Sequence, residues 1–78
     1  MQIQVRLFSR FRDALPREAH GETAISLSDG TTVDQLLTQL GISDRVKLIT
    51  VNGQRESDLQ RVLSQGDLVY IFPPVVGG

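Results

Sequence analysis

The residues of this chain best placed to do chemistry are its last six, Pro73-Pro74-Val75-Val76-Gly77-Gly78. Two adjacent prolines cannot continue a sheet ladder, and each holds φ near about −65°, so the chain must leave the preceding element as a stiff, extended arm. Gly77 and Gly78 add no side chains, which leaves the carboxylate of Gly78 on an unhindered arm that can pass a channel too narrow for a β-carbon. A carboxylate presented in this way is a substrate. Gly78 would then be the reacting group, at the end of an arm formed by Pro73 to Gly77.

Few other residues compete for a chemical role. Cysteine is absent, so a disulfide, a thiolate metal site and a cysteine nucleophile are excluded, and any sulfur chemistry must use sulfur supplied from outside. His20 is the single histidine and lies in a polar stretch between Ala19 and Gly21, without the convergent partners a triad or metal site needs, so it reads as a solvated loop residue. Asp29-Gly30 and Gly66-Asp67 read as turns, because the chain lacks the spaced oxygen ligands of a calcium loop. Arg6, Arg10, Arg12 and Arg17 read first as solvated surface and only second as a docking patch, since isolated exposed charges contribute little. Phe8 shares the strand parity of Gln2, Gln4 and Arg6, opposite the core face, and Phe72 stands at the root of the arm. If exposed, the two phenylalanines would form a partner interface; the alternative is that both are ordinary core aromatics.

The elements that must position the arm follow from periodicity. Residues 2 to 8 alternate, with Ile3, Val5 and Leu7 on one face, and read as a half-buried strand. Ser9 to Leu15 has helix-like spacing behind a capping-type serine and stops at Pro16, so it predicts one or two helical turns. Residues 16 to 21 read as a loop and Glu22 to Leu27 as a second strand, turned by Ser28-Asp29-Gly30. Thr32 with Gln35 forms a capping-box pattern ahead of Val33, Leu36, Leu37 and Leu40, and Gly41 stands where a left-handed C-cap belongs. Leu48 to Val51, Asn52-Gly53 and Gln54 to Ser57 spell a hairpin with a type I′ turn. Asp58 would cap a short helical turn carrying Leu59, Val62 and Leu63, and Gly66-Asp67 leads into the apolar run Leu68 to Phe72, a strand with both faces covered. Strands gathered in one layer across a principal helix give an α+β fold of the ubiquitin-like β-grasp kind, with the first and last strands side by side in the middle. The domain would span 1–72, and 73–78 would be the extended Gly-Gly tail.

Composition bounds the rest. Seventy-eight residues, 40% hydrophobic and 22% charged, describe one small folded domain. A formal charge of −1 argues against nucleic-acid binding, and the longest apolar run falls far short of the roughly 20 residues that span a bilayer, so a cytoplasmic protein with no membrane role is expected.

With these residues in view, the sequence resembles the MoaD-type molybdopterin synthase small subunits. Gly66-Asp67, Val69 and the ending Phe72-Pro73-Pro74-Val75-Val76-Gly77-Gly78 carry the resemblance most specifically. Leu7-Phe8-Ser9-Arg10-Phe11-Arg12-Asp13, Thr31-Thr32-Val33 with Leu36-Leu37, and Val51-Asn52-Gly53 are also similar to that family's pattern. The resemblance implies that a ubiquitin-activating-like adenylyltransferase, consuming ATP, adenylates the Gly78 carboxylate and that a sulfur donor converts it to a thiocarboxylate. It implies further that the arm enters the large synthase subunit, in a heterotetramer of two small and two large subunits, and gives its sulfur to a pterin precursor as dithiolene sulfur. No cofactor would be bound here, and the catalytic side chains would belong to the large subunit. A thiamin-pathway sulfur carrier and a protein modifier joined through Gly78 share this tail chemistry, and a β-grasp interaction module with an inert tail is the reading from a different class.

Overall fold

The computed structural model describes residues 1–42 and 48–74. The first strand, β1 (Gln2–Leu7), buries Ile3, Val5 and Leu7 and exposes the residues between them. β2 (Glu22–Ser26) runs antiparallel to it from Gln2↔Ser26 to Arg6↔Glu22. After the helix α1 (Val33–Leu40) come β3 (Leu48–Val51), the two-residue β4 (Gln54–Arg55) and β5 (Leu68–Phe72). The sheet order is β2-β1-β5-β3-β4, with β5 parallel to β1 and antiparallel to β3. A mixed five-stranded sheet packed on one main helix, its terminal strands paired in the centre, is the ubiquitin-like β-grasp.

Local chemistry explains where the elements start and stop. Gln35 N–H donates to Thr32 Oγ1 at 3.2 Å and Thr32 N–H donates to Gln35 Oε1 at 3.0 Å, so both arms of the capping box form. Gly41 closes the helix at φ 76°, and its N–H donates to the Leu37 and Thr38 carbonyls. Asn52 at φ 54° and Gly53 at φ 84° supply the two left-handed positions that the β3–β4 turn needs. The helix turns Val33, Leu36 and Leu37 onto the sheet, where they meet Ile3, Val5, Leu7, Val51, Leu63 and Ile71 in one cluster, with Leu40 only partly buried at its edge. Phe11, Leu27, Ile42, Ile49 and Val69 complete that core.

Four local expectations are corrected. Ser9 to Ala14 is a 3-10 helix whose N-cap is Phe8 rather than a serine, with no side-chain cap bond, and Ser9 itself stands at φ 52°. A second 3-10 turn, Arg17–Ala19, occupies part of the expected loop. The outgoing arm of the hairpin is shorter than 54 to 57: the strand ends at Arg55, one further bond of the same register runs from the Glu56 N–H to the Ile49 carbonyl at 2.8 Å, and the Glu56 carboxylate then turns to the Asp58 N–H and Arg61. No helical turn follows Asp58. Its Oδ1 accepts from Gln60 N–H at 2.9 Å, a side-chain turn that competes with helix, Val62 bridges to Thr32, and only Leu63 is buried while Leu59 and Val62 stay exposed.

The 55–63 segment is held instead by Arg61, whose Nη1 donates to Glu56 Oε1 at 2.7 Å. That bond, with the Asp58 N–H as a second donor, holds the Glu56 carboxyl below the usual carboxylate range. A lowered folded-state value contributes stability that is present above the ordinary glutamate range and is lost as pH falls through the lowered value. Thermal melts across the acid range should therefore show a shallower acid limb for Glu56→Gln than for the parent; parallel limbs would rule the coupling out. Leu37, 1% exposed, gives a second test. Leu37→Ala should lower unfolding stability by about 2–5 kcal/mol in denaturant titration, and a loss below about half a kcal/mol would contradict its place in the core.

Candidate functional site

β5 carries the chain through the centre of the sheet and out at the end where β1 also finishes. Its alternation sends Val69 and Ile71 to the helix side and leaves Leu68, Tyr70 and Phe72 half-buried on the open face. Phe8 continues the parallel ladder by donating its N–H to the Ile71 carbonyl at 3.3 Å, which brings its ring alongside the end of β5. The Phe8 and Phe72 rings stack with centroids 4.2 Å apart and planes 13° from parallel, and Tyr70 lies tilted against Phe8 at 5.5 Å. The Arg6 guanidinium covers this group, 5.1 Å from the Phe8 centroid and 5.8 Å from that of Tyr70. Sheet parity makes the cluster: positions 6 and 8 point one way from β1, and positions 70 and 72 point the same way from its parallel neighbour.

The two phenylalanines singled out from the sequence thus touch on the face opposite the helix, half-exposed at the root of the arm. Pro73 is buried and Pro74 half-buried, so the arm begins seated against the domain. Val75, Val76, Gly77 and Gly78 lie outside the described residues. Tyr70 and Arg6 complete the aromatic group, and their parity, two positions before Phe72 and two before Phe8, is the signal that identifies them. His20 is an exposed residue at φ 53°. Among the described residues no group of three His, Asp or Glu side chains is placed to hold a metal ion, and no helix is long and apolar enough to cross a membrane.

The far end of β5 is fixed by a carboxylate whose structural role exceeds a simple turn. Asp67 is 7% exposed; its Oδ1 accepts from Asn52 Nδ2 at 2.8 Å and its Oδ2 from Ser64 N–H at 2.7 Å. Asn52 Oδ1 in turn accepts from Leu68 N–H at 2.9 Å, so the β3–β4 turn and the start of β5 are bolted together.

Fold and sequence together define a small ubiquitin-like β-grasp domain whose central strand β5 leads directly into the Pro73-Pro74 segment. The chain belongs to the ThiS family, which it matches over residues 5–78. It is a small ThiS/MoaD-type domain with the ubiquitin-like fold. A Pyrococcus furiosus protein described as a candidate molybdopterin converting factor, subunit 1, is 27% identical with TM-score 0.74, over 96% of this chain and 99% of that one. Subunits 1 and 2 of the molybdopterin-converting factor from Helicobacter pylori form a complex of known structure that matches at 24% identity and TM-score 0.65, over 100% of both chains. Small archaeal modifier protein 1 of Haloferax volcanii matches at 20% identity and TM-score 0.71, over 95% of this chain and 98% of that one. The latter two likenesses speak for the fold alone. No curated protein sequence matches the chain.

Because the Phe8 ring lies outside the core, Phe8→Ala should cost only about 1 kcal/mol in denaturant unfolding. NMR should show the ring protons of Tyr70 and Phe72 moving as the ring current is lost, with the methyl signals of Val33 and Leu37 unmoved. Shifts of those core methyls would instead make Phe8 a core residue.

Proposed function

We propose that this chain is the sulfur-carrying small subunit of a molybdopterin synthase and that the carboxylate of Gly78 is its reacting group. The observation that carries the reading is the continuity of the central strand β5 with the Pro73-Pro74 arm, beside the Phe8–Phe72 stack, in a sequence that runs on to Val75-Val76-Gly77-Gly78. The likeness to the Pyrococcus converting-factor protein and the membership of the ThiS family support it.

A carboxylate is a poor electrophile until one oxygen becomes part of a good leaving group. An oxygen of Gly78 bonds to the α-phosphorus of ATP on an activating adenylyltransferase, pyrophosphate leaves, and a mixed anhydride remains. A sulfur donor then displaces AMP and leaves a thiocarboxylate. Its sulfur bonds to a carbon of the pterin precursor inside the large subunit as an oxygen substituent leaves that carbon with its electron pair. Water then cleaves the resulting thioester, returning Gly78 to the carboxylate and leaving the sulfur on the pterin as a thiolate. The arm supplies reach and the glycines supply slenderness; general acid and base groups come from the large subunit, in a heterotetramer of two small and two large chains. The aromatic face at the arm's root, Phe8 and Phe72 with Tyr70, is the docking surface, since half-exposed rings at the centre of an interface contribute strongly to binding.

Appending one alanine after Gly78, or deleting Gly78, should leave the unfolding midpoint unchanged, because the hydrophobic core is built from residues 1–71 and changes at a chain end are well tolerated. Sulfur transfer should nevertheless collapse. The carboxylate is displaced by about 3.5 Å, the span of one extended residue, and a misplacement of about 1 Å already costs on the order of a hundredfold in rate. Intact mass of the protein from its host should reveal exchange of one terminal oxygen for sulfur. Near-normal transfer by either tail variant would sink the terminal-carboxylate mechanism, and mass adducts on lysines of other proteins, without sulfurated pterin, would replace the synthase reading by the modifier one.

A further inference from the structure

Away from the arm, the two 3-10 turns enclose an open cleft of about 330 Å³ lined by Ser9, Arg12, Asp13, Arg17, His20 and Gly21 among others. Its volume lies at the small end of the roughly 300–1,000 Å³ typical of sites for small molecules. The backbone of the lining is sharply turned at two points. Two of the three non-glycine residues with positive φ, Ser9 at 52° and His20 at 53°, both belong to this cleft. Left-handed backbone on ordinary side chains costs free energy and persists only where the surroundings enforce it.

Arg12 is held in place by the buried Gly21. A β-carbon on Gly21 would come within 2.9 Å of Arg12 Cγ and 3.0 Å of its Nε, so the side chain of Arg12 lies across a backbone position that only glycine can occupy. The same β-carbon would meet the Leu7 carbonyl at 2.9 Å, while the Gly21 carbonyl accepts the Leu7 N–H at 2.7 Å. The end of β1 therefore clamps the glycine, and the glycine supports the arginine stem. Arg17 approaches from the second turn, and among the described residues neither arginine is in an ion pair with a carboxylate. A planar guanidinium offers a fork of donors matched to the oxygens of an oxyanion, and Ser9 brings a hydroxyl to the same lining. Asp13 is the one carboxylate in the lining.

We propose that this cleft is an oxyanion site that takes a phosphate group, with Arg12 and Arg17 as its counter-charges and Gly21 as the floor that positions Arg12. The charge balance agrees: the chain as a whole carries −1, yet the lining of the cleft holds Arg12 and Arg17 against Asp13 alone. Attraction of an anion to this cleft thus runs against the net charge.

Titration of the folded chain with sodium phosphate, followed by amide NMR against sodium chloride at equal ionic strength, tests the assignment. Saturating shifts of the Ser9, Arg12, Arg17 and Gly21 amides are expected with phosphate and not with chloride. Arg12→Gln combined with Arg17→Gln keeps the stem that packs on Gly21 and should weaken binding at least tenfold. Asp13→Asn removes the opposing charge and should tighten it about twofold to threefold, and this arm remains readable if the double variant fails to fold. Titration with AMP separates the sources: affinity at least threefold above that of inorganic phosphate assigns the remaining cleft to an organic portion, and equal affinity assigns the phosphate group alone. Shifts that do not saturate, that chloride reproduces, or that survive the loss of both arginines overturn the proposal.

Discussion

The pairing of β1 with β5 is the interaction on which the rest of this structure depends. These two strands lie at opposite ends of the sequence, and their parallel ladder from Gln4↔Leu68 to Leu7↔Ile71 forms the middle of the sheet. Closing so long a loop is entropically expensive, and a parallel pair gives the return only when both strands are buried on a common face. Val5, Val69 and Ile71, each at 0% exposure, supply that return against the underside of α1. Once the ladder exists, β3 has a partner, the helix has a floor, and the first residues after β5 have a fixed direction of departure.

Polar groups complete what apolar burial begins. A buried carboxylate such as Asp67 would cost several kcal/mol if its oxygens went unpaired. Here both oxygens accept hydrogen bonds, one from the Asn52 amide and one from the Ser64 backbone, and Asn52 returns a contact to Leu68. The network reads as a registry device. It joins the β3–β4 turn to the first residue of β5, so a slip of β5 by one residue would break it while also exchanging Val69 and Ile71 for Leu68, Tyr70 and Phe72 on the core face.

Wherever the chain follows local rules, its sequence discloses its structure. The capping box at Thr32 and Gln35, the C-cap at Gly41, the Asn52-Gly53 turn and the alternation of β1 are short-range devices, legible because the residues that decide them lie within a few positions of one another. The segment after Asp58 is the counterexample. Leu59, Val62 and Leu63 have helical spacing, yet the Asp58 side chain takes the Gln60 N–H and Arg61 is drawn to Glu56, so the turn obeys polar contacts that periodicity does not record. Ser9 has the composition of a cap and lies one residue too late to be one, since the parallel ladder extends through Phe8 and the chain must turn at Ser9 itself. The aromatic face was half legible. Parity put Phe8 on the open side, but its stack with Phe72 requires the β1–β5 register, a relation across more than sixty positions that no local pattern encodes.

The seating of Pro73 and Pro74 has a mechanical consequence. A pull on these residues is transmitted to the strand from which they grow, and that strand is the central one. Because β5 is flanked by β1 on one side and β3 on the other, a pull along the arm loads both ladders in shear, with their hydrogen bonds sharing the force rather than parting one at a time. Under such loading, survival is governed by the rate of unfolding rather than by equilibrium stability. A domain whose handle is its innermost strand therefore withstands a pull on that end better than one hung from an edge strand.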